Sequence, residues 1–202
     1  ALYLLTQAEP GFCCPITMTH AAMPVLRHLH GGEAWRARLL GREYEPAAIP
    51  AWHKTTNTFG MAMTEKQGGS DVRRNSTQAR PVSSPGSGEW YRLEGHKWFC
   101  SAPMSDAFLT LAQTDDGLSC FLAPRFTPEG QRNAIEIQRL KDKCGNRANA
   151  SAEIEYAGAW AQLVGEPGRG VPAILEMVQQ TRLDAATAPA GMMRQAMREV
   201  WH

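Results

Sequence analysis

No cysteine framework can be built from this sequence. Its five cysteines are an odd count: Cys13 and Cys14 are adjacent, Cys100, Cys120 and Cys144 stand alone, and no C-x-x-C occurs. That spacing excludes a disulfide scaffold and a cysteine–histidine zinc module, and it reads as reduced thiols in a cytoplasmic protein without a metal. His28 and His30 are two residues apart, so they cannot share one helical face as an i, i+4 metal pair does. Charge of one sign is also lacking. With 21 Lys plus Arg against 20 Asp plus Glu the formal net charge is +1, which argues against a nucleic-acid arm, an acidic tail or a polybasic membrane patch as the dominant feature. Long apolar runs are missing too. Gly11 to Leu26 has no formal charge apart from His20, but Pro15 and Pro24 break it and it falls short of the roughly 20 residues a membrane span needs. The opening Ala1-Leu2-Tyr3-Leu4-Leu5 has no basic stretch before it and meets Glu9 soon after, unlike a signal peptide. No membrane partner is expected.

What is present is globular: 202 residues, 43% hydrophobic and 20% charged. A compact chain of this size buries roughly 70% of its unfolded surface, so no staples are needed. Three zones follow one another without repeats. Residues 1–56 read as helical pieces and a connector. Met23, Val25, Leu26 and Leu29 form an apolar face at helical spacing, Glu33 to Leu40 a short second helix, and Pro46 and Pro50 punctuate the link. Residues 57–165 change to short strands, predicted at 58–63, 76–82, 90–94, 96–101, 107–113, 118–124, 134–140, 152–157 and 160–164. Asp115-Asp116-Gly117 suits a tight hairpin, and Ser83-Ser84-Pro85-Gly86-Ser87-Gly88 and Thr127-Pro128-Glu129-Gly130 are breaker-rich turns. Residues 166–202 begin a helix with Pro172 in its first turn; Pro189 should kink or interrupt it. The order predicts an α+β fold: an antiparallel β-barrel or sandwich flanked by N-terminal helices and the start of a C-terminal helical domain. Both ends lie inside helical patterns, which reads as an internal piece of a longer chain.

Two stretches carry most of the chemistry. In Gly60-Met61-Ala62-Met63-Thr64-Glu65-Lys66-Gln67-Gly68-Gly69-Ser70-Asp71 an apolar strand runs into hydroxyls, carboxylates and paired glycines. Adjacent glycines let a ligand approach the main chain, and freed N–H groups with the Thr64 and Ser70 hydroxyls suit an anionic or carbonyl-rich ligand. An ordinary polar hairpin turn explains the same residues about as well. In Gly95-His96-Lys97-Trp98-Phe99-Cys100-Ser101, strand alternation sends Trp98 and Cys100 to one face and Phe99 and Ser101 to the other. An aromatic ring beside a hydroxyl serves a flat conjugated ligand; a core aromatic plus a solvated serine is the commoner situation. Gly165-x-x-Gly168-x-Gly170 lacks the lysine–hydroxyl pair of a phosphate loop and reads as a link from sheet to helix.

Together these stretches resemble the acyl-CoA dehydrogenase family. Met-Thr-Glu-Lys-Gln-Gly-Gly-Ser-Asp from Met63, Leu118-Ser119-Cys120-Phe121, Leu140-Lys141-Asp142-Lys143-Cys144-Gly145-Asn146-Arg147 and Phe12-Cys13-Cys14-Pro15-Ile16-Thr17-Met18-Thr19-His20 are similar to its AidB-type, DNA-alkylation-response branch. Arg74 departs from the small residue that usually ends the first signature. The resemblance implies FAD held between a middle β domain and a C-terminal helical bundle. Met61, Met63, Thr64 and Ser70 match the strand and loop whose backbone and hydroxyls hold the flavin. Thr64 would face its pyrimidine edge, and Ser70 the diphosphate or the acyl-CoA. Phe99 matches the residue that packs on the ring, Ser101 the hydroxyl near N5, and Cys100 between them contributes its backbone.

The implied reaction is α,β-dehydrogenation of an acyl-CoA thioester, with a carboxylate base opposite the flavin. Gln179 to Asp184 offers no glutamate, and Asp184 is expected to pair with a cation, so no catalytic base is assigned. An ordinary short- or branched-chain acyl-CoA dehydrogenase and a flavin-containing DNA-protective protein without turnover stand as alternatives. Duplex DNA would be bound through a C-terminal region beyond these residues, and the complete protein would be a homo-oligomer, a tetramer by resemblance.

Overall fold

Two glycines hold together strands that the sequence pattern divides. The computed structural model describes residues 1–201. In it, β3 (Trp90–Ser101) runs unbroken through Gly95, and β7 (Ser151–Val164) through Gly158. Both glycines have positive φ, 140° and 75°. At Gly95 a Cβ would lie 2.7 Å from the Thr77 Cα, so the side chain is missing where another backbone crosses. Gly158 is a bulge: Leu93 faces Ala159 and Glu94 faces Ala157, with the glycine left over between them. Each of the two expected pairs of strands is therefore one bent strand.

Three short helices lead the chain, α1 (Leu2–Leu5), α2 (Cys13–Val25) and α3 (Glu33–Leu39). The remaining strands are β1 (Phe59–Ala62), β2 (Gln78–Pro81), β4 (Ala107–Thr114), β5 (Gly117–Pro124) and β6 (Ile135–Leu140). The β4–β5 hairpin turns at Asp115-Asp116-Gly117 as expected, with Thr114 facing Gly117. β1 pairs with β3 on one side and β4 on the other, β4 with β5, β5 with β7, and β7 with β3, so the ladders form a circuit. β2 sits between β3 and β4, and β6 is added at the edge of β7. One feature departs from an all-antiparallel sheet: β1 and β4 are parallel, Phe59 facing Ala107 through Ala62 facing Thr110. A connection running through the whole of β2 and β3 separates them, long enough to bring β1 and β4 alongside in the same direction.

Alternation along β4 feeds two cores. Leu109 and Leu111 face α2 and the helix after the sheet, among Met18, Val25, Leu122, Ile174 and Met177. Phe108 and Ala112 face inward among Tyr91, Leu93, Phe121, Ile154 and Leu163. Each such Leu, Ile, Val, Phe or Met side chain contributes about 1.5–3 kcal/mol on burial. The last helix, α4, spans Gly170–Val200 and is not interrupted at Pro189. Pro189 and Ala185 are both exposed, so the carbonyl that loses its partner one turn back lies on the wet side. At its other end α4 sits directly on β5: a Cβ on Gly170 would lie 2.4 Å from the Ser119 carbonyl carbon.

Candidate functional site

Met61 on β1 and Ser101 at the end of β3 face each other across the ladder. Together they form one wall of an open cavity of about 530 Å³ that is also lined by Cys14, Thr17 and Met18 of α2 and by Asp184, Ala188 and Met192 of α4. Its lining is mostly apolar because three packed elements each present a hydrophobic face there. Asp184 is the one carboxylate among the described lining residues. It accepts a hydrogen bond from the Thr17 hydroxyl, tying α4 to α2. The expected pairing with a cation is thus corrected: Arg182 on the same helix makes no ion pair with it, and the nearest partner is a hydroxyl from across the cavity.

Beyond β1 the chain enters a loop fixed by a buried ion pair. The Lys97 ammonium lies 2.6 Å from Glu65 Oε1, both side chains being fully buried, and also donates to the Leu111 carbonyl at 2.7 Å. Glu65 Oε1 accepts from the Thr77 hydroxyl at 2.6 Å, and Oε2 from the Ser76 amide and Gln67 Nε2, both at 2.7 Å. Burial alone would push this carboxyl up. The Lys97 charge and the hydrogen bonds from Lys97, Thr77 and Ser76 outweigh it and hold the group down at about 2. Burial in turn draws Lys97 down to about 8 against the attraction of Glu65. Around this pair the backbone is pinned: Trp98 N donates to the Thr64 carbonyl at 2.8 Å, Asn75 Nδ2 to the Met63 carbonyl at 2.8 Å, and Glu65 and Gly68 exchange both backbone bonds. Arg74 fits without strain, exposed in the short 3₁₀ turn Val72–Arg74.

The second stretch is not simply alternating. Lys97 faces Ile154 and Cys100 faces Ala152, so Trp98 and Phe99 together oppose the single residue Glu153. This bulge corrects the expected faces. Cys100 is in the inner core, its thiol pushed up to about 12 by burial. Trp98 and Phe99 instead share one side, where the Lys141 ammonium is 3.6 Å from the Trp98 ring centroid and 4.4 Å from that of Phe99. The extra residue moves Phe99 out of register with the core, leaving its ring 42% exposed.

Of the residues singled out from the sequence, Met61 and Ser101 line the cavity. Met63 and Thr64 are half-buried beside it on the loop, Ser70 is exposed, Phe99 presents its ring outward, and the Cys100 side chain points away. Among the described residues the hydroxyls of Thr64, Ser70 and Ser101 make no hydrogen bond to the protein, and the buried Asn75 Oδ1 beside the Glu65 network has no partner either. Glu65, Lys97, Lys141, Glu153 and Thr17 were missed as a set. A lysine in mid-strand was the available signal for Lys97; nothing local marks the others, whose partners lie far along the chain. No group of three or more metal-ligating side chains occurs among the described residues.

Residues 60–159 match the family of acyl-CoA dehydrogenase middle domains, and residues 1–46 match the adaptive response protein AidB N-terminal domain. The chain is 51% identical over 195 residues to AidB of Escherichia coli (strain K12), covering 96% of this chain and 35% of that protein. It is 35% identical over 206 residues to acyl-CoA dehydrogenase family member 11 of Caenorhabditis elegans, covering 96% and 32%. The crystal structure of Caenorhabditis elegans ACDH-11 in complex with C11-CoA is similar with a TM-score of 0.83 at 34% identity, over 96% of this chain and 33% of that one. Butyryl-CoA dehydrogenase from Megasphaera elsdenii shares the fold, with a TM-score of 0.79 at 19% identity over 98% of this chain and 49% of that one. The chain spans about a third of the length of the curated relatives it matches, 35% and 32% of the two named.

Proposed function

The chain belongs to the acyl-CoA dehydrogenase family, and from that premise we propose that its protein is an FAD-dependent, AidB-type acyl-CoA dehydrogenase that oxidises an acyl thioester between its α and β carbons. The observation that carries this reading is the meeting of Met61 and Ser101 at the wall of an apolar cavity of about 530 Å³. The residues present fit a flavin. Three hydroxyls without protein partners, Thr64, Ser70 and Ser101, belong to the loop and the strand that carry the half-exposed Phe99 and that are joined by the Trp98 N–Thr64 O bond, a set suited to a flat heteroaromatic with a polar edge. In this reading Phe99, Ser101, Thr64 and the Met61–Met63 backbone would hold the ring, Ser101 and Thr64 as hydrogen-bond donors, and Ser70 would hold a phosphate. Bound FAD supplies the hydride acceptor. The α2 and α4 side chains across the cavity exclude water from an acyl chain. The same reading divides the protein at 1–56, 57–165 and 166–202, an N-terminal helical end with its connector, the middle β domain, and the start of a C-terminal helical domain. It makes the complete protein a cytoplasmic homo-oligomer, a tetramer.

A second reading is favoured by one feature of the cavity. Its carboxylate, Asp184, is engaged by Thr17, and Gln179 to Asp184 holds no glutamate to act as base. A flavoprotein that protects duplex DNA through regions outside these residues, without turnover, has no need of one. An anaerobic visible spectrum of the complete protein before and after isovaleryl-CoA separates the two. Bleaching within seconds supports the dehydrogenase, a persistent flavin spectrum supports the protective role, and absence of flavin overturns both.

A further inference from the structure

Phe99 has a cation packed against its ring, the ammonium of Lys141. Lys141 follows β6 directly, and its side chain is only 10% exposed. Its ammonium donates to Glu153 Oε1 at 2.8 Å while lying on both Trp98 and Phe99. Such burial is not what a surface lysine adopts. Two independent register shifts build it. One on β3 doubles Trp98 and Phe99 against Glu153; the other, on β6 between Ile137 and Arg139, brings Arg139 opposite Glu153. Glu153 pairs with both cations, Arg139 at 2.7 Å and Lys141 at 2.8 Å. Lys66 also lies over the Trp98 ring, 5.4 Å from its centroid, so the cations outnumber the one carboxylate, and the rings carry the excess positive charge on their electron-rich faces.

Resting on the flavin reading, we propose that Lys141 is a positioning residue: it orients the Trp98–Phe99 pair and raises the reduction potential of the flavin that Phe99 carries. Two-electron reduction with uptake of one proton would leave a flavin one negative charge richer, and a cation fixed against Phe99 would favour that form. Water would quench such an effect; here the bulge and the Glu153 pairing hold the ammonium out of it. The charge is also fixed in place, because moving it means giving up Glu153 and both rings together.

The test is a flavin midpoint potential, measured anaerobically with a chemical reductant and a reference dye on the isolated flavin-loaded protein. Lys141→Met keeps the stem and removes the charge; the reduced-to-oxidised ratio at a given potential should fall about tenfold, a shift of roughly 30 mV downward. Lys141→Arg keeps the charge and should restore the native value. Glu153→Gln keeps an amide oxygen as acceptor for Lys141 while removing the opposing charge, so it should move the potential upward, which also decides the matter if Lys141→Met fails to fold. Trp98 fluorescence should change in Lys141→Met and not in Lys141→Arg. A potential unmoved in both Lys141→Met and Glu153→Gln, with flavin bound, overturns this inference and leaves the flavin reading standing. A native protein without flavin overturns both.

Discussion

Lys97 and Glu65 face each other at 2.6 Å with no exposed side-chain surface on either. They join β3 to the loop that follows β1, so one ion pair sets the position of both stretches that carry the candidate chemistry. Removing one partner leaves the other charged and buried, which typically costs about 3–5 kcal/mol. Glu65→Gln should be the worse single change, because the Leu111 carbonyl would be the one other acceptor Lys97 keeps, whereas Glu65 in Lys97→Met retains Thr77, Ser76 and Gln67. Urea unfolding of both variants and of the double variant checks this. The double variant should cost clearly less than the sum of the two.

The same carboxylate gives a pH dependence. Glu65 has an ordinary value of 4.5 and sits at about 2 in the folded protein. Glu153 is likewise held at about 2 by hydrogen bonds from Arg139 and Lys141. Between those values the unfolded chain binds more protons than the folded one, so stability rises with pH there. The contribution is whole above about pH 4.5 and disappears as the pH falls toward 2. Thermal midpoints measured from pH 6 to pH 2.5 should fall steeply in the native protein and less steeply in Glu65→Gln. Equal slopes would contradict the assignment.

Ser101→Ala tests the cavity wall. Its hydroxyl has no protein partner, so the substitution should change stability by no more than about 0.5 kcal/mol. Loss of a hydrogen bond to a bound flavin should weaken flavin retention about fivefold to tenfold. Flavin dissociation followed by fluorescence, beside a thermal melt, reads both. A large stability loss with unchanged flavin retention would count against the role given to Ser101.

Thr17→Val removes the hydroxyl that joins α2 to Asp184 on α4. Stability should drop by about 1 kcal/mol, and amides in the middle of α4 should exchange faster while those of β4 and β5 do not. Uniform exchange throughout would mean that this bond does not hold the helix.

The sheet was legible where the sequence speaks locally. Alternation in 107–113, the Asp115-Asp116-Gly117 hairpin and the Glu33 helix all stand where local pattern puts them. Glycines misled, because a breaker and a bulge look alike in one dimension: Gly95 and Gly158 bend strands that continue. Pro189 misled for the opposite reason, since a helix held along one face by α1 and α2 tolerates a missing hydrogen bond on its wet face. At the candidate site, Met61 and Ser101 were found because their motifs are contiguous. The Glu65–Lys97 pair and the Lys141 cluster were not, because residues apart in the chain make them, and register shifts that no local pattern announces build the second.

The ladder circuit has a consequence for how the chain reaches this state. Hairpins such as β4–β5 can form alone, and β2 bridges the far ends of β3 and β4, but the Met61–Ser101 end of the circuit is completed only when β1 enters between β3 and β4, in register with a strand that has to be made long after it. Thr110, whose hydroxyl donates to the Ala62 carbonyl at 2.6 Å, is 48 residues away along the chain from that partner. Until then the ends of β3 and β4 that β2 does not reach have open edges, and the entropy of closing that end falls on a late event. Refolding should therefore show fast gain of strand signal followed by a slower phase in which the Met61–Ser101 wall appears, and the open-edged species before it is the one that will aggregate at high concentration.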